Sequence, residues 1–228
     1  MKLAVSLASG GLDSTTLAYF LRNESYEPLL LSVDYGQRHA REIEAAMVVA
    51  ARLGVEHNVV DLRGLRALLS GSALTDPDVA VPYGHYAADN MRITVVPNRN
   101  AILLSVAFGM AVARGASVVA AAMHAGDHAI YPDCRPQFVS AFNAMEKLAT
   151  EGFGDPDLQF RAPFVEMTKA DIVKLGDQLG VPFAYTWSCY EGGARHCGQC
   201  GTCVERREAF QLAGVTDPTE YLAESALV

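Results

Sequence analysis

Positive charge is the first scarcity in this chain. Eighteen Lys and Arg stand against 26 Asp and Glu in 228 residues, a formal net charge of −8. The long-range field therefore repels nucleic acid and anionic membrane surfaces, and a nucleic-acid substrate would need a local basic patch. Charged residues of both signs make up only 19% against 50% hydrophobic residues, enough apolar surface to offset chain entropy, which excludes intrinsic disorder. Long apolar runs are missing as well. The longest, residues 101–113, is closed by Arg114 and falls short of the roughly 20 residues a membrane helix needs. Residues 1–10 mimic a secretory leader, but a Gly-Gly-Leu-Asp turn follows after about six apolar residues, below the usual range. Cysteine is sparse and odd in number: there are five, and Cys197, Cys200 and Cys203 sit two residues apart. That spacing suits metal ligation rather than a disulfide framework, and points to the reducing cytoplasm. With no internal repeat or low-complexity segment, the length fits one domain spanning 1–228.

What is present is an alternation of buried strands and helices. Residues 2–8 form a continuous apolar run, Gly-Gly follows, and 14–21 carry a helical pattern. Residues 28–33 are a second run, the turn Tyr35-Gly36-Gln37 breaks it, and a helix from His39 to Leu53 is ended by Gly54. A short strand at 56–60 follows. Runs buried on both faces and alternating with helices predict a parallel sheet with right-handed crossovers. Residues 70–91, rich in Pro, Gly, Asp and Ser, read as a long loop, and long loops are often functional. Residues 93–96 read as extended, 101–114 as a buried helix with Asn100 as a possible N-cap, 117–122 as a strand, and 137–149 as a helix. Thr168-x-x-Asp171 is a capping signature that opens a helix to Leu179. The sheet is expected to end near residue 165, leaving a tail of helix, cysteine cluster and helix.

Ser9-Gly10-Gly11-Leu12-Asp13-Ser14 closes the first strand and opens the first helix, where open α/β sheets bind ligands. Backbone N–H groups there, with the hydroxyls of Ser9, Ser14 and Thr15, can cradle an anion; the plain alternative is a Gly-Gly turn capped by Ser14. The Gly-Lys-Ser/Thr ending of a Walker A loop is absent. The segment resembles instead the Ser-Gly-Gly-x-Asp-Ser loop of the N-type ATP pyrophosphatases, which split ATP between its α and β phosphates to adenylate an oxygen. That resemblance implies a Rossmann-like open sheet of the adenine nucleotide alpha-hydrolase type, with Asp13 as a Mg2+-linked carboxylate. Cys189, Cys197, Cys200 and Cys203 have the spacing C-x7-C-x2-C-x2-C, a strong signal for structural Zn2+, with an iron–sulfur cluster as the competing reading.

Together with these two features, Val33-Asp-Tyr-Gly-Gln-Arg-His39, Val96-Pro-Asn-Arg-Asn100, Tyr131-Pro-Asp-Cys-Arg135, Thr168-Lys169 and Thr186-Trp-Ser-Cys-Tyr190 resemble the 7-cyano-7-deazaguanine synthase family over essentially the whole chain. The loop after Ala122 departs from the family pattern, keeping Asp127 but carrying His124, His128 and Ala129-Ile130. The resemblance implies a ligase that joins 7-carboxy-7-deazaguanine and free ammonia with ATP, Mg2+ and Zn2+, acts on no nucleic acid or membrane, and works as a cytoplasmic homodimer. It implies a nucleotide-binding core at 1–165 and a helical zinc-binding tail at 166–228. Ala8, Ser9, Gly10, Gly11, Leu12, Asp13, Ser14, Thr15, Thr16, Leu17, Ala18 and Arg38 would bind ATP. Asp13, Ser14, Arg99 and Lys169 would be catalytic, with Arg99 or Lys169 stabilising phosphate or carboxylate charge. Tyr131 would stack on the base, Asp133 would meet its amidine edge, and Arg99 or Arg135 would hold the carboxylate; a Pro-terminated turn is the plainer account of that loop. His57, His85 and His196 are expected to be structural or surface residues. A tRNA sulfur-transferase or lysidine-type enzyme of the same superfamily is the alternative activity, and a zinc module that binds a partner is the alternative class.

Overall fold

The computed structural model describes residues 1–38, 41–69, 71–76, 78–85 and 88–222. His39, the expected start of the second helix, and Ser70, the expected start of the long loop, lie outside the described residues. Five strands form one sheet: β1 (Lys2–Leu7), β2 (Tyr26–Asp34), β3 (His57–Asp61), β4 (Val118–Ala120) and β5 (Gln159–Arg161). Their order is β3-β2-β1-β4-β5, and every pairing is parallel. The helices are α1 (Leu12–Asn23), α2 (Arg41–Leu53), α3 (Arg99–Arg114), α4 (Pro136–Ala149), α5 (Lys169–Gln178) and α6 (Gly201–Ala213).

The period-two alternation of the strands explains why both faces are covered. Ala4, Val118 and Ala120 point to one face, where Leu17 and Leu21 of α1, Ile172 and Val173 of α5 and Phe210 of α6 pack. On the same side, Leu30 meets Ala46, Val49 and Ala50 of α2. Val5, Leu29, Leu31 and Val119 point to the other face, against Leu104 and Phe108 of α3 and Phe142 of α4. The chain winds outward from β1 through β2 and β3, then returns across the sheet to β4 on the far side of β1. That reversal leaves a crevice beyond the carboxyl ends of β1 and β4, where open parallel sheets take their ligands.

Several local expectations need correction. Residues 93–96 are not a strand: Ala88–Thr94 form a 3-10 helix, and Thr94 donates its hydroxyl to the Met91 carbonyl at 2.6 Å, which closes the turn locally. Helix α3 starts at Arg99 with Asn98 as its N-cap in the left-handed region, φ 55, so Asn100 lies inside the first turn. Counted with the preceding 3-10 turn, Met91–Arg114 is long and apolar enough to cross a bilayer. Residues 95–98 break that run, and Leu104, Ala107, Phe108 and Ala111 are packed on the sheet. Ser14 is the third residue of α1, whose N-cap is Gly11, so it caps nothing. The capping box at Thr168 and Asp171 is present.

Candidate active site and metal centre

Every element that ends at the crevice contributes to one cavity of about 270 Å3. Its wall includes Ala8, Ser9, Gly11, Leu12, Asp13 and Ser14 from the β1–α1 turn, Tyr35 and Arg38 after β2, and Glu42 on α2. Arg99 and Asn100 on α3, Met123, His124, Asp127, Tyr131 and Cys134 after β4, Lys169 on α5, and Trp187, Ser188, Tyr190 and Thr202 from the tail also line it.

The β1–α1 turn depends on Gly10. Its φ is +74, and a Cβ there would lie 2.2 Å from the Glu42 carbonyl oxygen and 2.6 Å from the Ala46 nitrogen, so only glycine allows the turn to lie on the backbone of α2. Gly10 also accepts the Trp187 N–H at 2.9 Å, which ties the turn to the tail. Ser9 and Ser14 hydroxyls are 3.1 Å apart. Asp13 Oδ2 lies 3.3 Å from Lys169 Nζ and 4.0 Å from His124 Nε2, while its buried Oδ1 has no hydrogen-bond partner among the described residues. The buried Thr15 hydroxyl is likewise unpartnered. Buried polar atoms are rarely left so, and a carboxylate oxygen free beside a lysine suits a phosphate-bound Mg2+, whose ligands are oxygens.

Lys169 also reaches Glu205 Oε2 on α6. Burial opposes its charge, but Asp13, Glu205 and Asp127 outweigh that and hold the ammonium well above its ordinary pKa. Burial pushes the Glu205 carboxyl up against the pull of Lys169; a lysine facing three carboxylates stays cationic. His124 Nδ1 accepts the Gly126 N–H at 3.1 Å, which leaves the ring proton on Nε2, facing Asp13 and, at 3.5 Å, Asp127.

The structure brings together some of the sequence-derived site residues and separates others. Ala8, Ser9, Gly11, Leu12, Asp13, Ser14, Arg38, Arg99, Tyr131 and Lys169 all line the cavity. Thr16, Leu17 and Ala18 are fully buried: Thr16 donates to the Leu12 carbonyl at 2.9 Å, and Leu17 and Ala18 pack α1 onto the sheet. Arg38 donates to the Val79 carbonyl at 2.9 Å, pinning the long loop beside the cavity. Asp133 and Arg135 lie outside the lining. Asp133 Oδ2 accepts the Asn100 N–H at 3.1 Å, which satisfies one of the free donors in the first turn of α3, and exposed Arg135 donates to the His128 carbonyl at 2.8 Å. Tyr131 faces the cavity with its hydroxyl 2.6 Å from Thr94 Oγ1. Glu42, Glu205 and His124 belong to no sequence motif that marks a site. Only His124 left a trace in the sequence, as a departure from the family pattern.

The four sulfurs of Cys189, Cys197, Cys200 and Cys203 lie within 4.8 Å of one another. A tetrahedral Zn–S4 centre with bonds near 2.3 Å places its sulfurs about 3.8 Å apart, and Cys197 and Cys203 are already at 3.9 Å. The Gln199 and Cys200 N–H groups donate to Cys197 Sγ at 3.4 and 3.2 Å, as ligand sulfurs commonly require. The residues present therefore fit a metal ion, and Cys134 lies apart from them, accepting from Asn100 Nδ2 at 3.2 Å. The knuckle is braced by neighbours. His196 lies tilted against Trp187, ring centroids 4.3 Å apart, and accepts the Ser188 N–H at 3.1 Å, and the long loop bridges Tyr83 to Cys200. Buried Arg206 donates to Thr186 Oγ1 at 2.7 Å and to the Phe183 carbonyl at 3.1 Å.

A family model described as Queuosine biosynthesis protein QueC matches residues 3–214. The chain is 59% identical over 218 residues to 7-cyano-7-deazaguanine synthase 1 of Mesorhizobium japonicum, covering 96% of this chain and 93% of that protein. It is 59% identical over 217 residues to 7-cyano-7-deazaguanine synthase of Rhizobium meliloti, covering 95% and 91%. The enzyme of that name from Brucella anthropi is 57% identical over 215 residues, covering 94% and 91%. Among solved structures, NMN synthetase from Francisella tularensis shares the fold, with a TM-score of 0.51 at 14% identity over 94% of this chain and 78% of that one.

Proposed function

The chain belongs to the queuosine biosynthesis protein QueC family, and on that footing we propose that it is an enzyme of queuosine biosynthesis that makes 7-cyano-7-deazaguanine. Its substrates are 7-carboxy-7-deazaguanine, ammonia and ATP, and it is a ligase forming a carbon–nitrogen bond. A carboxylate is a poor electrophile at neutral pH. Its oxygen attacks the α-phosphorus of ATP and expels pyrophosphate; ammonia then displaces AMP, loses a proton and leaves the amide. The amide oxygen attacks a second ATP in the same way, and loss of AMP together with both protons of the amide nitrogen forms the nitrile. Catalysis rests on positioning and on electrostatic stabilisation of the departing pyrophosphate, not on a covalent nucleophile.

The observation that carries this reading is the half-paired Asp13 carboxylate at the N-terminus of α1, beside cationic Lys169 in the crevice of a parallel sheet. Backbone N–H groups of the Ser9–Ser14 turn cradle the phosphates, Asp13 would hold the Mg2+ that accompanies ATP, and Lys169 and Arg99 offset developing negative charge. The nucleotide contacts are carried by the six lining residues of that turn and by Arg38. Residues 1–165 form the nucleotide-binding core, and 166–228 the tail, in which Zn2+ on the four cysteines is structural. The thiolates suit a reducing cytoplasm, the substrates are small molecules rather than nucleic acid, and the working unit is a homodimer.

One cavity that activates first the acid and then the amide must accept the amide directly. Supplied 7-carboxamide should become nitrile with Mg·ATP and no ammonia, read by mass spectrometry; an inert amide contradicts the two-step route.

A further inference from the structure

A 7-deazaguanine ring presents two parallel N–H donors, the ring N1–H and the exocyclic 2-amino group, and such an edge pairs best with a carboxylate. Asp133 is occupied by the Asn100 N–H and lies outside the cavity lining. Asp13 and Asp127 face Lys169 and His124, and Asp34 bonds the Gly36 N–H at 3.0 Å and faces Arg63 at 3.7 Å. Glu42 is different. It lines the cavity, and its carboxylate makes no hydrogen bond or ion pair with any described residue. Arg99 stands near enough to act on its charge, and Tyr35 and Tyr190 share that neighbourhood and the cavity wall. The Gly10 contact fixes the Glu42 backbone against the phosphate-binding turn, so one rigid corner of the cavity holds both the turn and this carboxylate.

We propose that Glu42 is the specificity-determining acceptor for the base, its two carboxylate oxygens taking the N1–H and 2-amino N–H of 7-carboxy-7-deazaguanine between tyrosine rings, with Arg99 compensating the charge. This rests on the activity proposed above. Adenine is the wrong occupant for this carboxylate: its edge offers a single amino group flanked by lone-pair acceptors, which repel a carboxylate oxygen.

The test pairs a variant with a trimmed substrate. In the unaltered enzyme, the analogue lacking the 2-amino group should lose about 10- to 100-fold in kcat/KM, the usual discrimination of a paired contact. Glu42→Ala and Glu42→Gln should raise KM for the full substrate by a similar factor, leave KM for ATP unchanged and the melting temperature of the free protein at or above that of the parent, and erase the preference for the 2-amino group. A preference that survives intact in both variants overturns the inference, as does a rise in KM for ATP alone. Absence of nitrile with the unaltered enzyme is a separate failure, of the activity itself.

Discussion

At the scale of single residues, the site is a balance of buried charge. Lys169 faces Asp13, Glu205 and Asp127, so its removal acts twice. Lys169→Ala should lower turnover by about 10²- to 10³-fold, the usual loss when a transition-state charge partner goes. It should also cost stability on the order of 3 kcal/mol, because its three carboxylate neighbours remain largely buried without their cation. Denaturant titration and steady-state kinetics on one preparation separate the two effects. Glu42 carries a different signature. Burial raises its pKa to about 7, against the pull of Arg99, so the folded protein holds a proton that the unfolded chain releases near pH 4.5. The stability that this proton contributes is present below that pH and is lost as pH rises to about 7, a change on the order of 2–3 kcal/mol. Thermal melts across this window should show a smaller fall for Glu42→Gln than for the parent; parallel curves would contradict the assignment. The difference between the two curves cancels His57, which burial also shifts in this range. Asp13, Lys169 and the four cysteines stood out in the sequence because their chemistry lies in a local pattern. Glu42 and Glu205 did not, since each looks like an ordinary helical glutamate until the sheet brings distant helices to one crevice. Asp133 looked like a base reader for the converse reason: nothing in its own segment reveals that α3 uses it as a cap.

At the scale of elements, close helix contacts carry the architecture. α5 approaches α1 so nearly that a Cβ on Gly176 would sit 2.5 Å from the Phe183 ring and 2.9 Å from Thr16 Oγ1. Gly176→Val should therefore cost about 1–3 kcal/mol through overpacking and, since α5 opens with Lys169, should also lower turnover. A melting temperature equal to the parent's would show that the contact relaxes freely. The long strands and amphipathic helices were legible because burial on two faces leaves continuous apolar runs with glycine at their ends. The short elements were not. β5 is three residues with only Phe160 buried, too little for any period to show. Residues 93–96 carry β-branched side chains that suggest extension, yet Thr94 closes a 3-10 turn through its hydroxyl, a local bond that overrides propensity.

At the scale of the whole molecule, the cysteine knuckle and the crevice are one mechanical unit. Trp187, Ser188, Tyr190 and Thr202 lie in the cavity wall within the span of the cysteines or beside it, and α6 carries both Cys203 and Glu205. Zinc stripping should loosen the tail before the sheet, since a four-thiolate site contributes folding free energy to its own knuckle. Protease cleavage near the tail, with the far-UV signal of the sheet retained, is the expected sign. Turnover should fall in step, because Glu205 then no longer orients Lys169. The most direct measurement of the whole account is the product ratio of a single reaction containing 7-carboxy-7-deazaguanine, ammonia and Mg·ATP, followed by mass spectrometry and phosphorus NMR. Two AMP and two pyrophosphate should appear for each 7-cyano-7-deazaguanine formed. ADP and phosphate, or one AMP per nitrile, would contradict it.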